Sequence, residues 1–295
     1  MAKIQNSVLV RPPIDKSESS RARQIWAWGS VFIVFVLLSV AVYLFLPMGM
    51  DWRNTYRPAA LHVWNFESPY LVKIFHSPPW TVIPLIPLAL LPVQVGFAIN
   101  FSLSMAATAY TAYRMGAKPL VILALLLSYP ILFMAAYGQI DWLVYLGFLM
   151  PPQLGLFFVL IKPQVSIGLV LFWGIEAFRL GGIKQVVRVF WPVTLALGLS
   201  FLFFGNWFQS SLTEIDRGFN ASFWPQSIPI GLVLLYRALH KKDAHLSIST
   251  SPFLSPYLAP HGWGVALLGL SSSQWECVIA CLAMWGLRAM TGEFL

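Results

Sequence analysis

Apolar runs separated by short polar or proline-bearing breaks fill most of this chain. They lie at 25–46, 80–91, 93–113, 120–136, 140–150, 154–178, 189–208, 222–239, 253–270 and 275–290. A helical crossing of a bilayer needs about 20 predominantly apolar residues. Several runs reach that length, whereas 80–91 and 140–150 fall short, and Pro84, Pro92, Pro151 and Pro163 mark breaks near them. The runs are continuous and do not alternate at period two, so they predict helices and not a barrel. A helix also bonds its own backbone, which lipid requires. The expected fold is all-α: a polytopic integral membrane bundle of roughly eight to ten transmembrane helices, the broken segments deciding the count. Residues 25–295 form its single domain, with a long first external loop at 48–79. The polar tail 1–24, with Pro12 and Pro13, is expected to be disordered and cytoplasmic.

Composition agrees with that pattern. The 295 residues are 58% hydrophobic and 10% charged, against about 25% charged in soluble domains, and the mean hydropathy is +0.71. The net charge of +8 sits in short basic clusters between apolar runs. These read as topology signals and as contacts for membrane lipids or anionic substrates, with no nucleic-acid partner. Arg179, Lys184 and Arg188, then Arg237, Lys241 and Lys242, and finally Arg288 mark cytoplasmic ends. They imply a multi-pass protein of a bacterial-type plasma membrane, with both termini cytoplasmic and the first loop outside. No cleavable signal peptide is expected, because a long polar tail precedes the first run and no small-x-small site follows it. Cys277 and Cys281 are four apart on one helix face and read as buried small side chains.

The charge that remains is concentrated in the polar island 51–79, DWRNTYRPAALHVWNFESPYLVKIFHSPP. Asp51 lies just past the first helix, at the depth where membrane meets water, and a partly desolvated carboxylate there suits a general base; it also reads simply as a helix end. Arg53 and Arg57 are one helical turn apart and suited to bidentate phosphate contact, or to an ion pair with Asp51 or Glu67. His62, Lys73 and His76 carry a weaker signal. Further on, GQID (138–141) and IKPQ (161–164) place Gln139, Asp141, Lys162 and Gln164 in apolar surroundings. An ionisable residue within a membrane segment is a functional candidate, and Pro163 breaks the helix beside Lys162. Lys162 and Asp141 also read as a structural pair. SPYLAPHGW (255–263), with Tyr257, is by itself a turn. There is no P-loop, GxGxxG, HExxH or metal-spaced Cys/His cluster.

Taken in order, DWRNTYRPAA, SPY, FHSPP leading into PLALLP, GQID, IKPQ and the late SPYLAPHG resemble the GT-C glycosyltransferases, and most nearly glycosyltransferase family 87, related to polyprenyl-phosphate-mannose-dependent mannosyltransferases. The resemblance spans 31–270. Two motifs depart from it: Ser77-Pro78-Pro79 stands where Tyr-Pro-Pro is usual, and His261-Gly262 where an acid often follows the late Ser-Pro-Tyr. The resemblance implies a membrane enzyme that moves a sugar, a hexose such as mannose, from a polyprenyl-phosphate donor to a hydroxyl of a lipid or glycan acceptor on the external side. It implies Asp51 as the catalytic residue and matches Gln139 and Lys162 to polar positions of the family's intramembrane motifs; together with these two, Arg53, Tyr56, Arg57, Tyr70, His76, Asp141, Gln164 and Tyr257 are the expected substrate-binding residues. No cofactor and no metal are implied. A non-catalytic subunit of a membrane complex and a lipid or solute transporter are the alternatives.

Overall fold

The computed structural model describes residues 16–209 and 219–291. Every regular element among them is helical and none is a strand, so the chain is all-α. The chain has at least one helix long and apolar enough to cross a membrane, Ile167–Phe204, and up to three spans if two bent pairs each count as one. The expected eight to ten crossings therefore do not stand as that many long rods. Prolines divide the apolar runs into short helices that bury their ends against one another.

Helix α1, Lys16–Phe45, begins inside the tail expected to be disordered, since no Gly or Pro interrupts 15–28. Residues 1–15 lie outside the described residues, as do Glu214, Asp216 and Arg217. Pro47 stops α1. The chain then makes a π-helical turn at Trp52–Tyr56 and runs on as α2, Arg57–Trp64. The expected external loop is therefore largely helical and docked into the body. Trp52 is fully buried, its indole donating to the Val93 carbonyl at 3.1 Å, and Tyr56, Ala59, Ala60 and Phe75 are buried with it. Apolar side chains at this spacing cannot be left in water, so the island folds onto the bundle.

Helix α3, Ile86–Ala89, turns sharply into α4, Val93–Arg114, the chain bending by 118° between Pro79–Ala89 and α4. The core helix α4 packs on α1, where Ser39 donates to Ser102 at 2.8 Å. Helices α5 (Pro119–Leu126) and α6 (Tyr129–Tyr137) form the second bent pair, at 53°. Next come α7, Asp141–Gly147, and α8, Pro152–Val159. The run expected as one segment over 154–178 is broken: α8 stops, Pro163–Val165 forms a single 3₁₀ turn, and α9 begins at Ile167.

Helix α9, Ile167–Phe204, loses helical geometry at Gly181 and Gly182, where Gly182 has φ +58°, a region only glycine visits freely. The basic stretch 179–188, expected as a connecting segment, is thus a bend. A side chain on Gly174 would meet the ring of Phe190 at 3.6 Å, so the two arms run back side by side. At 1.5 Å per residue, the arm 167–180 is about 21 Å long and the arm 183–204 about 33 Å. Then follow α10 (Ile228–Lys241), α11 (Ala244–Ile248), α12 (Ser251–Leu254), α13 (Gly264–Gly269) and α14 (Gln274–Thr291). The expected single run at 253–270 is split by Pro256 and Pro260 into α12, the 3₁₀ turn Pro260–Trp263 and α13. Cys277 and Cys281 are buried on α14, which packs on α5.

Candidate functional site

A close backbone approach brings distant motifs together. Gly49, in the turn after α1, lies so near the 137–138 peptide that an added side chain would meet Tyr137 C at 2.7 Å and Gly138 N at 2.8 Å. Gly138 closes α6 in the left-handed conformation, φ +75°, and its own missing side chain would lie 2.6 Å from Trp52 Cβ. These two glycines let the segment carrying Asp51 sit directly on the segment carrying Gln139. Gly138→Ala is therefore expected to cost about 1–3 kcal/mol for the left-handed backbone alone, more with the clash against Trp52. Thermal unfolding in detergent checks it, and an unchanged midpoint would remove the close approach from the account.

Gln139 is the hub. Its amide nitrogen donates to Asp51 Oδ2. Its Oε1 accepts from the Tyr56 hydroxyl at 2.9 Å and from Lys162 Nζ at 2.5 Å. The partners fix the amide's orientation: reversing it would aim an NH₂ at an ammonium and a carbonyl at a carboxylate. The Gln139 carbonyl accepts from Asn100 Nδ2 at 3.3 Å, and Trp142 Nε1 donates to Asn100 Oδ1 at 3.0 Å. The backbone that bears the hub is thus tied to α4 and α7.

Lys162 supplies the buried charge. It donates to Asp141 Oδ2 at 2.7 Å and faces His261 Nε2 at 3.3 Å, besides its bond to Gln139. Lys162 and His261 are 6% exposed and Asp141 is 0% exposed. An ammonium has three protons and no acceptor. Here all three have a partner, provided His261 presents the Nε2 lone pair and carries its proton on Nδ1. Lys162 is therefore a holder of Gln139 and Asp141, with no donor left over for a ligand. The break at Pro163 leaves Lys162 outside any helix, with its side chain on Asp141 at the start of α7 and the 3₁₀ turn packed on the helix Ser251–Leu254 and the turn Pro260–Trp263.

Asp51 is the one charged member of the cluster that stays partly exposed. Burial holds its carboxyl above the ordinary value of 3.8, outweighing the downward pull of the Lys162 charge and of the Gln139 amide. A carboxylate with raised basicity, oriented by an amide and open on one side, has the properties of a proton acceptor.

Of the residues singled out from sequence, the structure brings together Asp51, Tyr56, Gln139, Asp141 and Lys162, and Tyr257 lies close enough to act electrostatically on Tyr56. The others stand apart. Arg53 is exposed. Arg57 donates to the Leu91 carbonyl at 3.4 Å and buries its Nε without a hydrogen bond. Neither arginine makes the ion pair with Asp51 or Glu67 considered above, and Glu67 instead pairs with His62 at 2.6 Å. Tyr70 is part of an aromatic stack: its ring lies on Trp207 at 5.5 Å and its hydroxyl donates to the Ser77 carbonyl at 3.0 Å. It anchors the polar island to the far end of α9. His76 and Gln164 are half-buried outside the hydrogen-bonded cluster. Sequence reasoning missed His261, Asn100 and Trp142. The available signals were an asparagine inside the apolar run of α4, and a histidine in the late SPYLAPHG motif. Among the described residues no group of three or more His, Cys, Asp or Glu is placed to hold a metal ion.

Compared with known proteins, the sequence matches no family model, no curated protein and no solved structure.

Proposed function

We propose that the chain is a multi-pass membrane glycosyltransferase of the GT-C type, resembling family 87, with roughly eight to ten crossings when broken helices are counted and with both termini cytoplasmic. It transfers a sugar, a hexose such as mannose, from a polyprenyl-phosphate donor to a lipid or glycan hydroxyl on the external side. The observation that carries this reading is the meeting of three short, distant motifs, around Asp51, Gln139 and Lys162, in one network centred on a partly exposed carboxylate.

In this mechanism Asp51 removes the acceptor hydroxyl proton as the acceptor oxygen attacks the anomeric carbon. The carbon–phosphate-oxygen bond breaks, and the polyprenyl phosphate leaves with the electron pair. Gln139 aims the Asp51 oxygen, and the buried Lys162 stabilises the carboxylate through it. Arg53, exposed one residue beyond the buried Trp52, is the cation open to the donor phosphate, while Arg57 is turned to the Leu91 carbonyl.

The reading predicts that membranes containing the chain move label from a polyprenyl-phosphate hexose into a lipid or glycan fraction, and that a nucleotide-linked hexose does not substitute for it. Equal transfer with and without the chain overturns the enzyme assignment. One observation favours the alternative of a non-catalytic subunit: the Lys162 charge is wholly satisfied by protein acceptors, which is also what a purely structural pair would show. The same assay separates the two.

A further inference from the structure

Between the two arms of α9, beside the Gly181–Gly182 bend, lies an open apolar cleft of about 450 Å³. Val170, Gly174 and Phe178 line it from one arm, and Ile183, Val186 and Phe190 from the other. Phe178 and Ile183, nearest the bend, are 60% and 70% exposed. A Cβ at Gly174 would stand in ordinary contact with the Phe190 ring, at 3.6 Å, so a side chain as large as leucine there would extend into the cleft.

Basic residues cluster around the bend, outside the apolar lining of the cleft. Lys184 and Arg188 are exposed on the second arm. Arg179 donates to the Leu239 carbonyl at 3.0 Å, so the basic C-terminus of α10, with Lys241 and Lys242, lies at the same level. The acids nearby are already engaged: Glu176 pairs with Arg179 at 2.7 Å, and Asp243 caps α11 through Leu246 N at 3.1 Å. Among the described residues, Lys184, Arg188, Lys241 and Lys242 have no acidic partner.

Depth fits the same assignment. The second arm climbs about 33 Å from the bend to the segment where Trp207 stacks on Tyr70 of the polar island. That is close to the roughly 30 Å of a bilayer's hydrocarbon core, so with this arm across the membrane the bend reaches the headgroup level of the leaflet opposite Trp207.

We infer that the α9 bend is a binding site for one anionic phospholipid, its acyl chain in the cleft and its phosphate among Lys184, Lys241 and Lys242. Cations at headgroup level attract anionic lipid, and the cleft just inside them is apolar. A second copy of the chain would bring the same positive end against this one. A polyprenyl-phosphate donor would have its phosphate beside Asp51, which is joined through Gln139 to Lys162 at the head of the first arm, the length of that arm, about 21 Å, from the bend. Neither matches the charge and position of the bend as an anionic bilayer lipid does.

The test is native mass spectrometry of the full chain in detergent, titrated with phosphatidylglycerol and, separately, with phosphatidylcholine of the same acyl chains. The expected result is at least tenfold tighter binding of phosphatidylglycerol. K184Q/K241Q/K242Q should bring that ratio close to one. Gly174→Leu should weaken both lipids about fivefold or more without changing their ratio. The triple variant changes exposed side chains only, so it remains informative if Gly174→Leu fails to fold. Equal binding of the two lipids by the wild type, or a ratio untouched by the triple variant, overturns the site. So does displacement of phosphatidylglycerol by a polyprenyl phosphate, or a dimer that forms in place of the lipid complex.

Discussion

Asp51→Asn is expected to lower sugar transfer from a polyprenyl-phosphate donor by about 100- to 10,000-fold, the contribution of one positioned general base. The substitution is well suited to the question because asparagine still offers Gln139 an oxygen to donate to, so the hub keeps its partner and the fold its packing. The thermal midpoint in detergent should therefore stay close to that of the wild type. The pH dependence carries a separate signature. Burial raises the Asp51 carboxyl above 3.8, and a base works only when deprotonated. Activity should thus fall as pH drops through a value above the ordinary carboxylate range, and this acid limb should vanish from the residual activity of the Asn variant. Full turnover by Asp51→Asn would sink the catalytic role, and an acid limb that survives in the variant would assign it to another group.

The second large effect concerns stability. Lys162→Met removes one half of a buried ion pair and leaves Asp141 ionised at 0% exposure, with Oδ1 already lacking a hydrogen bond and Oδ2 newly losing its ammonium. Breaking a buried pair from one side costs about 3–5 kcal/mol, so this variant should unfold at a much lower temperature or denaturant concentration. Lys162→Met combined with Asp141→Asn removes both charges and should recover much of that loss. A single variant as stable as the wild type, or a double variant worse than the single by the full sum, would show that the two residues do not act as a pair. The comparison also separates stability from catalysis: the double variant should fold yet transfer poorly, because Gln139 has lost the ammonium that helps to aim it.

These expectations rest on residues legible to different degrees before the fold is known. Asp51 and Lys162 stand out from sequence because a charge at or within an apolar segment is costly to place there. Their connection through Gln139 was not legible. It depends on Gly49 and Gly138 letting two backbones touch, and backbone approach between segments so far apart leaves no periodicity to read. Asn100 and His261 were hidden for a related reason. One polar residue in an apolar run looks like a satisfied core group until its partner is seen, and the partners, Trp142 on α7 and Lys162 in the break after α8, come from distant segments. Arg53 and Arg57 show the reverse: their spacing suggested a joint grip on phosphate, but the π-helical turn at Trp52–Tyr56 leaves one exposed and turns the other toward the Leu91 carbonyl.

What the amino-acid order determines by itself is the class of the molecule. The share of apolar residues and the continuity of their runs require helices that satisfy their own backbone, and the scarcity of charge draws attention to the few places where charge occurs. What only the tertiary structure decides is how long each helix is and which polar residues meet. Hydropathy reports the free energy of leaving water, which is nearly the same for an unbroken crossing and for two short helices bent at a proline or a glycine pair. The bend at Gly181–Gly182, the 3₁₀ turn after Lys162 and the docking of the polar island are set by packing between segments distant in sequence, and that packing places Asp51, Gln139 and Lys162 in one network.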